Sequence, residues 1–296
     1  MTQVSIIGMG NVGSNLASSL ILTHSVSELM IYSKLSSTCL GLKLDLDDLS
    51  TSLDCSVNIT ATSEIKDNLE SDLVVICARS EFTNQNNKDI RSRGLFPNAA
   101  MIKEMALSLQ GYKGKVLMVT NPVDVMCQVF MEHSGLSSQQ ISGVGSNIDS
   151  LRYRLILSEK YGFPMNQIEG RVIGEHGDSM VILYDETTFN GDQVSINRDD
   201  IGQLVKTRSS VISKATGRTK YGPVGVIIKS IRKILGSEDG IEELSSFYQG
   251  GFIGLPCRFS DGDMRVEFPQ MSSLEQSLFE QSRAKVNDNY HRLDLT

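Results

Sequence analysis

Short apolar runs alternate with longer segments in the first half of this chain. The runs are QVSIIG (3–8), LMIY (29–32), LVVIC (73–77) and VLMV (116–119), and each is separated from the next by enough residues for a helix. Strands that alternate with helices form a parallel, doubly wound sheet that is covered on both faces. The pattern therefore predicts an α/β fold for this half.

The pattern changes after about residue 143, where helices mix with strands that suit antiparallel pairing. The predicted elements are a helix over 149–161, the apolar runs RVIG and MVILY, a turn at Asn190-Gly191-Asp192, two helices within 199–235, two strands within 252–268 and a polar helix over 272–289. We therefore predict two domains, a doubly wound sheet domain at 1–143 and a mixed α+β domain at 144–296. No proline-rich linker separates them, so we expect a broad interface.

Composition adds limits on location. Of the 296 residues, 40% are hydrophobic and 21% are charged, which is typical of a globular protein that can bury a sizeable core. The first residues lack the basic segment and apolar run of a signal peptide, and no apolar stretch has membrane-spanning length. We expect a cytoplasmic protein with no membrane partner.

Charge and cysteine content limit the partners further. The formal net charge of −7 disfavours a nucleic-acid partner, because the phosphate backbone is itself negative. The five cysteines are scattered and form no CxxC pair, so we expect reduced thiols and no metal site. An anionic ligand must then be held by local arginines or by helix ends.

The sequence GMGNVG directly follows the first predicted strand. It places glycines at GxGxxG spacing where a strand turns into a helix, which is the fingerprint of a Rossmann dinucleotide site. Glycines also serve turns and close packing, but this setting favours cofactor binding, with the pyrophosphate on the helix N-terminus. The predicted contacts are Gly8, Met9, Gly10, Asn11, Val12 and Gly13.

The end of the second strand bears on the choice between NAD and NADP. The fingerprint expects an acidic residue there to bind the adenosine ribose, whereas this chain has Ser33 followed by Lys34. A missing carboxylate removes the charge that would repel a 2'-phosphate, and Lys34 would attract one. The sequence therefore favours NADP, and the alternative is a solvated Lys34 with plain NAD binding.

Several motifs in order along the chain resemble the lactate/malate dehydrogenase family. After GMGNVG come TNPVD (120–124), NIDSLR (147–152), GEHGDS (174–179), YGP (221–223) and GLPC (254–257), so that the resemblance covers nearly the whole chain. It implies an oxidoreductase that moves a hydride between NAD or NADP and a short L-2-hydroxy acid or its 2-keto acid. It also implies a homodimer or homotetramer.

The resemblance assigns the central chemistry to three residues. His176 lies between glycines that let a substrate approach, and it is implied to be the proton donor and acceptor. Asp149 is implied to orient the imidazole and to stabilise its charged form. Arg152, three residues further along the same predicted helix, is implied to bind the substrate carboxylate.

Further contacts follow from the resemblance with less direct alignment. Asn121, at the end of a strand, is implied to bind the substrate oxygen and to seat the nicotinamide. The resemblance also implies that Val119 and Asn98 contact the cofactor. Arg91, seven residues before Asn98, is implied to polarise the keto oxygen when a polar lid closes, and Lys88 and Arg93 are the neighbouring alternatives for this role.

The substrate itself is left open between lactate/pyruvate and malate/oxaloacetate. Six residues before Arg91, where malate enzymes of the family carry a second arginine, this chain has Gln85, as lactate enzymes do. The YGP motif favours the malate enzymes. Arg79 replaces a family glycine beside the cofactor and has no assigned role. A catalytically silent relative that binds nucleotide and acts as an interaction or regulatory domain is the alternative function.

Overall fold

A sheet of nine strands runs through the centre of the protein, within the part of the chain that the computed structural model describes, residues 2–81 and 94–293. Its strands are β1 (Gln3–Ile7), β2 (Glu28–Tyr32), β3 (Asn58–Thr62), β4 (Leu73–Ile76), β5 (Lys115–Met118), β6 (Ile141–Val144), β12 (Gly240–Tyr248), β13 (Gly251–Ser260) and β14 (Asp263–Val266). Five short strands form two smaller sheets: β7 (Ile168–Glu169), β8 (Val172–Ile173), β9 (Val181–Ile182), β10 (Thr188–Phe189) and β11 (Asp192–Gln193).

Helices connect most of these strands. Those that the structure describes are α1 (Asn11–Leu22), α2 (Ser36–Ser52), α3 (Leu95–Ser108), α4 (Val123–Ser134), α5 (Ser146–Tyr161), α6 (Arg198–Thr216), α7 (Tyr221–Ile234) and α8 (Ser273–His291). Short 3-10 turns occupy Ile65–Glu70, Ser138–Gln140 and Met165–Gln167. No helix among residues 2–81 and 94–293 is long and apolar enough to cross a membrane.

The sheet has the order β14-β13-β12-β6-β5-β4-β1-β2-β3. The six strands from β6 to β3 are parallel, and β12, β13 and β14 continue the sheet antiparallel. One buried cluster joins β1 and β4 to α3 and α4, and a second joins them to α1 and α7. Both faces of the parallel strands are therefore covered, as the alternating pattern predicted, and the predicted doubly wound α/β class is confirmed.

Within the nine-stranded sheet, the structure adds three strands that the apolar pattern did not indicate. In β3, exposed Asn58 and Thr60 alternate with more buried positions, because this strand lies at the edge of the sheet. In β12, the buried carboxylates Glu242 and Glu243 interrupt the apolar run. The third, β6, spans 141–144 and so crosses the predicted domain boundary at residue 143, while β12 to β14 join the same sheet. The division into 1–143 and 144–296 stays a prediction.

The parallel pairing decides where the functional residues meet. Because β1, β2, β4, β5 and β6 all point the same way, the segments that follow them lie along one edge of the sheet. Ligands of open α/β sheets bind outside this carboxyl edge. The glycine motif, Ser33, Arg79, Asn121 and the start of α5 all follow these strands.

Candidate active site

The glycine loop, residues 8–13, has the shape that a dinucleotide needs. Gly8 has φ +103°, and a Cβ on it would lie 2.4 Å from the Cα of Ala78. A Cβ on Gly13 would lie 2.1 Å from the carbonyl oxygen of Gly8, so α1 packs closely on the turn. Gly10 is exposed and no atom lies within 4 Å of the place where its Cβ would stand. The loop therefore leaves open space at the position where the backbone should approach a pyrophosphate.

The N-terminus of α1 suits a negative ligand. Gly10 is its N-cap residue, no side chain caps it, and the first turn holds no acidic residue. The first amide groups of the helix and its dipole therefore present positive potential to the open space beside Gly10. These residues fit a bound NAD or NADP.

At the end of β2, the backbone of Ser33 is fixed and Lys34 is exposed. The Ser33 amide donates to the Thr62 carbonyl oxygen at 3.3 Å, and Cys39 Sγ lies 3.1 Å from the same nitrogen. Lys34 follows immediately, just before α2 begins at Ser36. A serine and a cation thus stand at the helix entrance where the fingerprint expects a carboxylate.

Asn121 lies at the carboxyl end of β5, followed by Pro122 across a cis peptide bond. Asn121 is exposed. The backbone carbonyl oxygen of Asn121 accepts a hydrogen bond from the side-chain Nδ2 of buried Asn98 at 2.8 Å, and Asn98 Oδ1 accepts one from the backbone amide of Ser80 at 2.9 Å. Asn98 therefore ties the segment after β4 to the segment after β5, in addition to any cofactor contact. Val119, half-buried, continues the sheet pattern by donating to Ile76 at 2.9 Å.

His176, Asp149 and Arg152 form one chain of polar contacts. His176 Nδ1 lies 2.6 Å from Asp149 Oδ2, and Arg152 Nη1 donates to Asp149 Oδ1 at 3.3 Å. Asp149 is almost fully enclosed, with 2% of its side chain exposed, whereas 15% of the His176 side chain is exposed. The sequence motif predicted that these three residues act together, and the fold brings them into contact.

The surroundings of His176 favour its charged form. Burial by itself would lower the pKa of His176, but the Asp149 carboxylate, helped by Asp124, raises it above the usual value despite the opposing charge of Arg152. A raised pKa keeps the imidazole able to donate a proton near neutral pH. Since Asp149 occupies Nδ1, the other ring nitrogen, Nε2, is left for proton transfer.

A second carboxylate holds the backbone of His176. Asp124, in the first turn of α4 and 2% exposed, accepts a hydrogen bond from the His176 amide at 3.1 Å. Burial raises the pKa of Asp124 to about 6, although Ser245 and His176 act in the opposite direction. Gly145 lets the histidine approach, because a Cβ there would lie 2.6 Å from His176 Cβ. The histidine is thus positioned by its backbone and by its ring.

The residue before the histidine is fixed from α8. Glu175 accepts a hydrogen bond from Lys285 Nζ at 2.7 Å, and both the amide and the hydroxyl of Ser179 donate to it as well. The Glu175 amide donates to Ser282 Oγ at 2.8 Å. Burial would raise the pKa of Glu175, but the bonds from Lys285 and Ser179 lower it below the usual value. The C-terminal helix α8 therefore holds the GEHGDS segment through both the backbone amide and the carboxylate of Glu175.

Sequence reasoning missed some of the residues that hold His176, and some of the residues it did predict lie outside the part of the chain that the structure describes. Asp124 is the last residue of the motif TNPVD, and the sequence analysis gave it no role. Its position at the start of a helix, three residues after Asn121, was the signal that could have placed it in the site. Lys285 and Ser282 gave no signal, because their helix is more than 100 residues from Glu175 along the chain. Arg91 and Gln85 lie outside the described residues. Among residues 2–81 and 94–293, no three His, Cys, Asp or Glu side chains are grouped to hold a metal ion.

A glycine loop at the carboxyl edge of a Rossmann-like sheet, together with a histidine–aspartate pair whose aspartate lies on the helix that follows β6, is typical of a dinucleotide-binding oxidoreductase. Comparisons with known proteins identify the family. The family model for the lactate/malate dehydrogenase NAD binding domain matches residues 2–143. L-lactate dehydrogenase 1 of Staphylococcus aureus is 30% identical over 305 aligned positions, which cover 97% of this chain and 95% of that protein. This chain belongs to the lactate/malate dehydrogenase family.

Solved structures agree on the fold. Malate dehydrogenase from Plasmodium falciparum superposes with a TM-score of 0.89 at 25% identity, covering 98% of each chain. The minor L-lactate dehydrogenase from Enterococcus mundtii gives 0.91 at 23% identity, covering 100% of this chain and 99% of the other. Lactate and malate enzymes therefore resemble this fold about equally, and the likeness does not distinguish their substrates.

Proposed function

We propose that this protein is an NAD(P)-dependent dehydrogenase that interconverts a short L-2-hydroxy acid and its 2-keto acid. The observation that carries the proposal is the contact of His176 with Asp149, 2.6 Å apart, at the same sheet edge as the glycine loop. A silent nucleotide-binding relative would have no need for a histidine whose charged form is favoured and whose ring remains partly accessible.

In the direction of keto reduction, each residue has a defined task. Arg152 binds the substrate carboxylate through its planar guanidinium, and its contact with Asp149 fixes that group relative to the histidine. His176 donates a proton from Nε2 to the keto oxygen as negative charge develops there, and Asp149 stabilises the imidazolium before the transfer. The bound nicotinamide supplies the hydride. The products are the 2-hydroxy acid and the oxidised cofactor, and the reverse reaction uses neutral His176 as the base.

Additional roles are proposed for residues at the rim of this site. Asn121 binds the substrate oxygen and seats the nicotinamide, and Arg91 steadies the negative charge on the oxygen. The residues of the glycine loop, together with Asn98 and Val119, contact the cofactor. Because Ser33 and Lys34 replace the expected carboxylate, we propose that NADP is preferred to NAD.

We also propose that the protein works as a homo-oligomer. Leu40 and Leu44, four residues apart on α2, are 57% and 54% exposed and lie on the same face of that helix. An exposed apolar face suits contact with a second copy of the chain. Sedimentation velocity of the purified protein measures the assembly directly, and a monomer at micromolar concentration would refute this part.

Steady-state kinetics with His176→Ala tests the central assignment. The wild type should oxidise NADPH or NADH in the presence of pyruvate or oxaloacetate, with a lower KM for NADPH. The variant should lose about 100- to 10,000-fold in kcat, since general acid catalysis contributes on that order, while its affinity for the reduced cofactor stays the same. His291→Ala, an exposed histidine at the end of α8, is the matched control and should keep full activity. Turnover retained in His176→Ala would refute the assignment, and strict use of NADH would refute the preference for NADP.

A further inference from the structure

The turn that carries His176 is folded around the side chain of Glu175. The amide of Ser179 donates to Glu175 Oε2 at 3.2 Å, and the hydroxyl of Ser179 donates to the same oxygen. The amide of Gly177 donates to the Glu175 carbonyl oxygen at 2.8 Å, and a Cβ on Gly177 would lie 2.6 Å from the carboxyl carbon of Glu175. The carboxylate therefore occupies the inside of the turn and fixes the residues that follow the histidine.

Helix α8 packs against this turn from the other end of the chain. Lys285 Nζ donates to Glu175 Oε2 at 2.7 Å, the oxygen that also accepts from Ser179. Ser282 Oγ accepts from the Glu175 amide at 2.8 Å and lies 3.2 Å from Ser179 Oγ. Ser282 is fully buried, and a Cβ on Gly174 would lie 2.8 Å from its hydroxyl oxygen. The turn and α8 are therefore in close contact, with little room for either to shift.

Helix α8 is itself attached to the helix that holds the His176 amide. Phe279 of α8 is fully buried in the same cluster as the apolar residues of α4, and the Tyr290 hydroxyl of α8 donates to Glu132 of α4. The first turn of α4 contains Asp124, whose carboxylate accepts from the His176 amide at 3.1 Å. Two helices that pack on each other therefore hold residues 175 and 176.

The charge of Glu175 needs a partner because its side chain is only 12% exposed. Burial acts to raise the pKa of Glu175, and the bonds from Lys285 and Ser179 outweigh it and lower the pKa. The other ionisable groups beside Glu175 are Asp124 on α4, whose own pKa the charge of Glu175 raises, and the neighbouring His176. Lys285 therefore supplies the positive charge that offsets this carboxylate from α8.

We propose that Lys285 is a positioning residue for His176 and that it acts through the carboxylate of Glu175. This inference rests on the proposed dehydrogenase function. Without the ammonium group, the carboxylate takes up a proton more readily, and a neutral carboxyl accepts the hydrogen bonds of Ser179 more weakly than a charged one. The turn then loosens, and the imidazole spends less time in the position from which it transfers a proton.

Steady-state reduction of pyruvate and oxaloacetate by Lys285→Met tests the proposal. At pH 7 kcat should fall about 3- to 10-fold, less than for a fully buried charged hydrogen bond, because 43% of the Lys285 side chain is exposed. KM for the keto acid should stay the same, since Arg152 keeps its contact with Asp149. Lys285→Arg keeps the charge and should restore kcat. Lys160→Met is the matched control, because Lys160 pairs with Asp200 and is 38% exposed.

The pH dependence distinguishes a charge effect from a general loosening of the fold. Relative to wild type, the loss in Lys285→Met should be larger at pH 5 than at pH 8, because Glu175 then gains a proton at low pH. Glu175→Gln does not titrate, so its loss should be about the same at both pH values. Adding Lys285→Met to Glu175→Gln should change kcat by less than about twofold, since the partner charge is already gone. Losses that multiply in the double variant, or a Lys285→Met loss that is equal at pH 5 and pH 8, would overturn the proposal.

Hydrogen exchange separates this inference from the dehydrogenase function, because it needs no turnover. Mass spectrometry of the full chain with NADH or NADPH follows the amides of residues 174–180. Exchange there should be faster in Lys285→Met than in wild type, with Tm equal to that of Lys160→Met, and slow again in Lys285→Arg. If exchange responds in this way but the wild type reduces no keto acid, the proposed function fails and the hold of Lys285 on the turn stands. Exchange that is unchanged in Lys285→Met would overturn the inference even in an active enzyme.

Discussion

Replacing Asp149 by asparagine removes the carboxylate between His176, the proposed acid/base, and Arg152, the arginine proposed to bind the substrate. The side chain is 2% exposed and lies 2.6 Å from His176 Nδ1, so the interaction is short and shielded from water. Asparagine has nearly the same shape and can still accept from Nδ1 through its oxygen. The substitution therefore changes mainly the charge beside the imidazole.

The size of the effect follows from the contact. A hydrogen bond to a charged group contributes about 1.5–3 kcal/mol. At about 1.4 kcal/mol for each tenfold change in an equilibrium constant, losing it should lower the pKa of His176 and reduce activity above that pKa by about 10- to 100-fold. The direction follows from the surroundings, because burial opposes the charged imidazole and Asp149 is the largest influence that raises the pKa of His176. Arg152 also loses its contact with Asp149 at 3.3 Å, so KM should rise as well.

The pH profile of kcat/KM for keto reduction tests this reasoning. Reduction needs protonated His176, so activity is high below its pKa and falls as pH rises through it. In Asp149→Asn the falling limb should move to lower pH, and the loss of activity should be larger at pH 8 than at pH 5. In the oxidation direction, which needs the neutral ring, the rising limb should move the same way. Asp48→Asn, an exposed residue on α2, is the control. Unchanged midpoints in both directions would refute the role given to Asp149.

Two further substitutions test the cofactor loop and the buried support of the histidine. Gly10→Val fills open space on the ligand side, so it should raise the Kd for reduced cofactor at least about tenfold without lowering Tm. The control is Gly41→Ala, at a position that is equally uncrowded but lies inside α2. It should keep the Kd and stabilise the fold by about 0.5–1 kcal/mol. Asp124→Asn tests the raised pKa of Asp124, which is about 6. In the wild type the folded state holds the Asp124 proton to higher pH than the unfolded state does, so the wild type loses stability as pH rises from about 4 to 6. Asparagine does not titrate, so the variant lacks this loss. The free energy of unfolding of the variant, measured in urea relative to wild type, should therefore increase by up to about 3 kcal/mol between pH 4 and pH 7. A Gly10→Val protein with normal cofactor affinity, or an Asp124→Asn difference that is independent of pH, would contradict these expectations.

The fold of the first half was predictable because its signals are local. A buried parallel strand needs a continuous apolar run, and the turn at Gly8 needs a positive φ, so both leave a mark in the sequence itself. Where a strand is buried with charged side chains that form ion pairs, the apolar pattern no longer marks it. Glu242 and Glu243 lie inside β12 because Lys233 approaches Glu242 at 3.0 Å and Arg171 approaches Glu243 at 3.5 Å. No count of apolar residues could have predicted that strand.

The sequence by itself determined which residues are candidates for the chemistry of this protein. His176, Asp149 and Arg152 were named from their motifs, as was the glycine loop. Only the tertiary structure decided how they are held. The His176 amide meets Asp124 across 52 residues of chain, and Glu175 meets Lys285 across 110. Such contacts depend on the order of strands in the sheet and on the packing of α8, which bring distant segments together through long-range burial that no local pattern encodes.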